Sequence, residues 1–235
     1  MTLIESEKIT LVLLPGLNGT AGLFDPLLSV ATNEYELMVI SYPTHHVKSY
    51  EELTEYVFEE IGSIKGRFIL VGESFSGPIA ILLSAKSISG LIGTILVATF
   101  ASAPYFTLAK YLPWTLIFKL AKIMCWVQIK LSNAKKASIL KAASIELQKV
   151  SPAVLAARTR VALIVDVSKE LQKSRVPVVY FSAKYDVVVP KWNLKKILKI
   201  KPDTKVETFN TNHFLLQSVP QQAWEAIDKF IQEIT

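Results

Sequence analysis

Short runs of apolar and β-branched residues, punctuated by turn residues, recur along the chain and constrain its fold more than any other feature. ITLVLL (9–14), RFILVG (67–72) and LIGTILVATF (91–100) are nearly unbroken, the pattern of strands buried on both faces. YELMVISYP (35–43), VPVVYFSAK (176–184) and KVETFN (205–210) read as further strands. Helical segments lie between them. GLFDPLLSVA is broken or begun at Pro26, and SYEELTEYVFEEIGSI (49–64) carries Leu53, Tyr56, Val57 and Ile61 at helical spacing, with Ser49 and Glu52 set as a capping box. GPIAILLSAK (77–86), a segment near PKWNLKKILK, and PQQAWEAIDKFIQEI complete the set. Strands alternating with helices of this length predict an α/β architecture, a parallel sheet built by crossovers with helices on both faces. A chain of 235 residues suits one such domain, because single cores keep growing up to about 250–300 residues.

The rhythm stops after the fourth strand. Residues 104–165 show only helical periodicity, including SPAVLAARTRVALI (151–164), where Ser151 and Pro152 suit the N-cap and first helical position. The expected organisation is a core of residues 1–103 and 166–235 with a helical insertion at 104–165. The most apolar stretch, YLPWTLIFKLAKIMCWVQIKL (111–131), is interrupted by Lys119 and Lys122, so it reads as an amphipathic helix and not as a membrane span. Charge is concentrated in the same region. From Pro104 to Val165 there are ten basic residues and one acid, Glu146, against a net charge of +6 for the whole chain, and no Asp or Glu occurs between Glu73 and Glu146. Either this is a solvated surface or it meets an anionic partner. The single cysteine, Cys125, and three histidines make neither an internal disulfide nor a structural zinc set. Cys125 reads as a small buried hydrophobe. The opening MTLIESEKIT has acids where a secretory signal needs basic residues, which leads us to expect a cytoplasmic protein.

One stretch carries chemistry. In GESFSG (72–77) a serine sits between a buried strand and a buried helix, at the strand's carboxyl end, where open parallel sheets bind ligands. A serine hydroxyl is a weak nucleophile without a base to take its proton and a carboxylate to orient that base. Asp186 follows the VPVVYFSAK strand and His213 follows KVETFN, so all three fall on one sheet edge. The rival Asp166 belongs to the helical block. Small residues at 72 and 76 let strand and helix approach each other, and centring the turn on Ser76 instead would put Pro78 where a small residue is needed, so Ser74 is the candidate. His45 and His46 share this edge and read as exposed loop residues; Glu73, beside the serine, is expected to point away from it.

The order Ser, Asp, His resembles the α/β-hydrolase superfamily, and GESFSG looks like its nucleophile elbow, with Ser76 where the motif usually has glycine. The resemblance implies about six mostly parallel strands, without the family's leading antiparallel hairpin, and a helical cap after the fourth. It implies a triad of Ser74, Asp186 and His213. LLPGLNGT resembles the oxyanion loop, with Pro15-Gly16 where many members have His-Gly, which assigns the backbone N–H groups of Leu17 and Phe75 to the oxyanion. Trp114, Phe118 and Trp126 are candidates to line a substrate, although aromatic residues in such a helical insertion more often serve packing. Carboxylic ester hydrolysis without a cofactor is the implied reaction; thioester cleavage, or acyl transfer as in the plastid esterase/acyltransferase proteins that LLPGLNGTAGLF also resembles, uses the same machinery. In size, triad order and cap the chain is similar to pimeloyl-acyl-carrier-protein methyl ester esterases of biotin synthesis. That similarity would make Lys119, Lys122, Lys130, Lys135, Lys136, Arg158 and Arg160 a landing surface for an acidic acyl carrier protein. A catalytically silent binder, or docking of the cap helix on an anionic membrane surface, is the reading of another class.

Overall fold

A computed structural model describes residues 8–131 and 139–235, the side chains of 128–131 excepted. Six strands form one sheet in the order β2-β1-β3-β4-β5-β6, and every pair of neighbours is parallel. They are β1 (Thr10–Leu14), β2 (Glu36–Val39), β3 (Phe68–Glu73), β4 (Leu91–Val97), β5 (Val178–Ala183) and β6 (Lys205–Phe209). The unbroken apolar runs have a direct physical reason. Along β1, Leu11 and Leu13 pack into the core on one face of the sheet while Val12 and Leu14 pack into the core on the other. Ile69 and Val71 of β3 divide from Leu70 in the same way. Successive strand side chains point to opposite faces, so only a doubly covered strand needs every position apolar. The edge strands β2 and β6 carry exposed Glu36 and Lys205 and half-buried Glu207, charges of the kind that discourage pairing with another chain.

Helices cover both faces. On one side lie α1 (Asp25–Leu28) and, later in the chain, the short α9 (Leu215–Ser218) and α10 (Pro220–Ile234); on the other are α2 (Tyr50–Ile61), α3 (Gly77–Ser84), α7 (Ser168–Lys173) and α8 (Trp192–Ile200). The capping box of α2 forms as expected: Ser49 Oγ accepts from the Glu52 amide at 3.2 Å, and Glu52 Oε2 accepts from the Ser49 amide at 2.7 Å. Between β4 and β5 run α4 (Trp114–Leu131), α5 (Ile139–Gln148) and α6 (Pro152–Ala162), the last capped by Ser151 Oγ on the Val154 amide. A small cluster of Val150, Val154 and Leu155, with Phe118 of α4 and Leu147 of α5 packed against it, joins this block to Leu17.

Two expectations shift. The fourth strand ends at Val97, three residues early, because Ala98 adopts φ +46° and turns the chain out of the sheet. SKELQK (168–173) forms a helix that the pattern did not announce: six residues with one buried side chain, Leu171, show no readable period. Leu70, fully buried at the centre of the sheet, tests the doubly covered core. Leu70→Ala is expected to lose about 2–5 kcal/mol of unfolding free energy in a urea titration. A loss below about 1 kcal/mol would contradict this packing.

Candidate active site

The sheet order reverses at β1: the chain leaves β1 for β2 on one side and returns to β3 on the other. Loops leaving the carboxyl ends of β1 and β3 therefore diverge and open a crevice, the usual ligand position in such sheets. Pro15-Gly16-Leu17 leaves β1 there, and Ser74 follows β3.

Ser74 has φ +50°, in the left-handed region that side chains other than glycine rarely adopt, and opens a tight turn (74–76) that leads straight into α3. The turn needs close approach at Gly72, where a Cβ would come within 2.9 Å of both Ala80 Cβ and the Ser76 carbonyl. His213 Nε2 lies 3.0 Å from Ser74 Oγ, and His213 Nδ1 lies 2.8 Å from Asp186 Oδ2. The other oxygen, Asp186 Oδ1, accepts from the amides of Val188 and Val189, each at 2.8 Å, so the carboxylate cannot swing away. With Asp186 accepting from Nδ1–H, the histidine presents a lone pair at Nε2 to the serine hydroxyl. Asp166, the rival, accepts from the Ser168 amide beside α7 and takes no part.

Ser76 does more than stay small. It is completely buried, it donates to the Pro15 carbonyl, and Tyr42 Oη lies 2.6 Å away as its donor; burial pushes the Tyr42 phenol well above its ordinary range and keeps it protonated. The hydroxyl thus ties the serine turn to the β1 loop. Further carbonyls are tied as well: Gly16 O by the Gly19 amide at 2.9 Å, Ser74 O by the Thr99 hydroxyl, and Phe75 O by Tyr50 Oη at 3.0 Å. In a trans peptide the N–H points opposite to the preceding C=O. Fixing the carbonyls of Gly16 and Ser74 therefore fixes the directions of the Leu17 and Phe75 amides.

A cavity of about 400 Å³ opens beside Ser74 and His213, walled mainly by apolar groups: Leu17, Leu23, Cys125, Leu140, Leu147 and Phe214. Several expectations are corrected here. Trp114, Phe118 and Trp126 do not line the cavity; Trp114 Nε1 donates to the Ala109 carbonyl, its ring packs at 6.1 Å from that of Phe118, and Trp126 is half exposed. Cys125 is only partly buried and forms cavity wall. Glu73 does not point away: it is buried on the cavity wall, accepting from Gln217 Nε2 at 2.9 Å. Burial raises its carboxyl above the usual range, partly offset by Gln217 and by the Gly16 amide. His45 and His46 are exposed, as read.

The largest correction concerns Arg158, which is 2% exposed and unavailable to an acidic partner. Its Nη1 donates to the carbonyls of Leu17 (3.0 Å) and Asn18 (2.7 Å), and its Nη2 to that of Pro43 (3.0 Å). Its guanidinium also faces the Tyr42 ring at 5.5 Å. Gly19, at φ +70°, makes room for it, since a Cβ there would overlap the guanidinium. Burial lowers the guanidinium to about 10, so it stays charged at neutral pH. Lys122 is engaged too, donating to the carbonyls of Gln148 (3.1 Å) and Val150 (2.7 Å). Lys119 is exposed and Arg160 half-buried, while the side chain of Lys130 and all of Lys135 and Lys136 lie outside the described residues.

Sequence reading missed Tyr42, Tyr50, Thr99 and Gln217 and misplaced Arg158. Tyr42 and Thr99 lie just past strand ends on the edge that carries Ser74, a placement that points to them. Arg158 falls in helical register with buried Val154 and Ala162, a signal that a charge count passes over. Arg158→Met is expected to cost about 2–4 kcal/mol in a denaturant titration, because three carbonyls lose a charged donor, with Arg158→Lys losing less. A methionine variant as stable as wild type would contradict this role.

No family model and no curated protein sequence matches the chain. Solved structures do. A carboxylesterase of the thaumarchaeon Nitrososphaera gargenis superposes with a TM-score of 0.78 at 15% identity, over 98% of this chain and 92% of that one. The enol-lactonase of Burkholderia xenovorans gives 0.78 at 13% identity, over 97% and 93%. A bromoperoxidase of Bacillus anthracis gives 0.78 at 14%, over 97% and 93%. With its six parallel strands in this order and these likenesses across nearly the whole length, the chain has the α/β-hydrolase fold.

Proposed function

We propose that the chain is a serine hydrolase that cleaves carboxylic esters through an acyl-enzyme on Ser74. The observation that carries this is the unbroken hydrogen-bonded line from Ser74 Oγ through His213 to Asp186, at 3.0 and 2.8 Å, on a strained turn that opens into an apolar cavity. A buried serine used only for packing has no need of an oriented imidazole or of a carboxylate held by two amides.

In this reading His213 Nε2 takes the Ser74 proton as Oγ bonds to the ester carbonyl carbon, and the carbonyl electron pair moves to oxygen. The amides of Leu17 and Phe75 donate to that oxyanion, their directions set by the tied carbonyls behind them. Collapse of the tetrahedral species breaks the bond to the alkoxide, which leaves with the proton from His213. Water then repeats the sequence on the acyl-enzyme, releasing a carboxylic acid and restoring Ser74. Asp186 orients the imidazole and stabilises its charged form. The leucines of the cavity suit an apolar acyl chain, and α4 and α5 act as a cap that limits water around it.

Two of the superposed proteins are named as a carboxylesterase and a lactonase, and a lactone is a cyclic ester, which supports ester over other acyl chemistry. Of the seven cations considered for an acidic carrier, Lys119 and Arg160 are those left free of the fold's own bonds among the described side chains. The test is turnover of short-chain p-nitrophenyl esters together with labelling by a fluorophosphonate. Wild type is expected to do both, Ser74→Ala neither, and Asp186→Asn to lose about 10⁴-fold in kcat. A wild type that is inert to esters and unlabelled, or an alanine variant that still turns over, would overturn the reading.

A further inference from the structure

We infer that the outer face of α4 is a docking surface for the interface of an anionic lipid bilayer. A helix packed on a globular core normally buries its apolar stripe, as α10 does with Ala223, Trp224, Ile227, Phe230 and Ile231. The helix α4 does the reverse. Its half-buried side carries Trp114, Phe118, Lys122 and Cys125, while Leu116, Leu120, Ile123 and Val127, at helical spacing, face outward together with Met124. The exposure is substantial, 54% at Leu120 and 72% at Met124. In the turn just before the helix, 107–111, Leu108 and Tyr111 are exposed as well, and Phe106 beside it is 88% exposed. An apolar stripe left exposed along a helix in this way marks a surface that meets something apolar.

Charge selects the occupant. Of the ten basic residues in 104–165, Arg158 is buried and Lys122 is bound to carbonyls, but Lys119 is exposed on this face, and the region's single acid, Glu146, is paired with Lys149. A second copy of the chain would bring like charge against like across a twofold contact, whereas an anionic lipid surface offers acyl chains for the stripe and phosphates for the lysines. Lys119 is exposed among the apolar residues of the outer face, where its stem can lie along lipid with the ammonium among headgroups. No described helix is long and apolar enough to cross a membrane, so α4 lies on the surface and does not span it. The same helix contributes Cys125 to the wall of the cavity beside Ser74, so docking holds that cavity next to the bilayer. The surface stands independently of the ester reading.

The test is sedimentation of the full chain with phosphatidylcholine vesicles, with and without phosphatidylglycerol. Wild type is expected to sediment with the phosphatidylglycerol vesicles, less so as salt rises, and to stay largely in solution with phosphatidylcholine alone. The double variant L120S/M124S is expected to bind about tenfold more weakly or worse, with its thermal unfolding unchanged because both positions are exposed. Lys119→Glu, which leaves the stripe whole, is expected to weaken binding about severalfold by charge alone. Failure to bind phosphatidylglycerol vesicles, equal binding to both vesicle types, or a stable dimer in solution that L120S/M124S abolishes would each overturn the proposal.

Discussion

The backbone of Ser74 is held in the left-handed region, and most of the surrounding structure serves to keep it there. For a residue with a Cβ that conformation costs about 1–2 kcal/mol, so it persists only where neighbours over-determine it. Here they do. Gly72 brings β3 against α3, Thr99 holds the Ser74 carbonyl, Tyr50 holds the carbonyl of Phe75, and Ser76 fastens the turn to the loop after β1. The result is a hydroxyl lifted out of the sheet toward His213, with the following amide pointing away from its tied carbonyl. Each tie comes from a residue at or near the same sheet edge, which is why one reversal in strand order organises the whole site.

A second set of constraints comes from outside the sheet. Arg158, on α6, reaches across to hold three carbonyls near the β1 loop, and Leu17 packs both into the main core and into the cluster around Val154. The helices between β4 and β5 are therefore bound to the loop after β1 by buried polar bonds as well as by apolar contact. A shift of α6 is mechanically linked to the peptides that follow Leu17 in the β1 loop. The same block presents an apolar face outward and an apolar wall inward.

How much of this could be read from residues alone follows from the range of each signal. The strands were legible because burial on both faces leaves a local mark, an unbroken apolar run, and Ser49 to Glu52 because a capping box is contained in four residues. The meeting of Ser74, Asp186 and His213 was legible because each follows a strand, so one-dimensional order carries three-dimensional placement. What failed was inference from residue type without direction. Arg158 was grouped with surface lysines by its charge although its register faces the core, and of the two readings open for Trp114, Phe118 and Trp126, substrate lining and plain packing, the direction in which α4 turns them was needed to choose. SKELQK was missed because a single buried leucine in six residues carries no period.

The central claim is that Ser74 attacks a carbonyl whose oxygen is received by the Leu17 and Phe75 amides in the geometry already set. The most direct measurement is a crystal structure of the chain after reaction with an alkyl phosphonate ester, a tetrahedral mimic of the attacked carbonyl. The account predicts phosphorus bonded to Ser74 Oγ and a phosphoryl oxygen about 2.7–3.1 Å from both amides, with Arg158 still on the carbonyls of Leu17 and Asn18. Phosphorus on another residue, or a phosphoryl oxygen turned into solvent away from both amides, would contradict it.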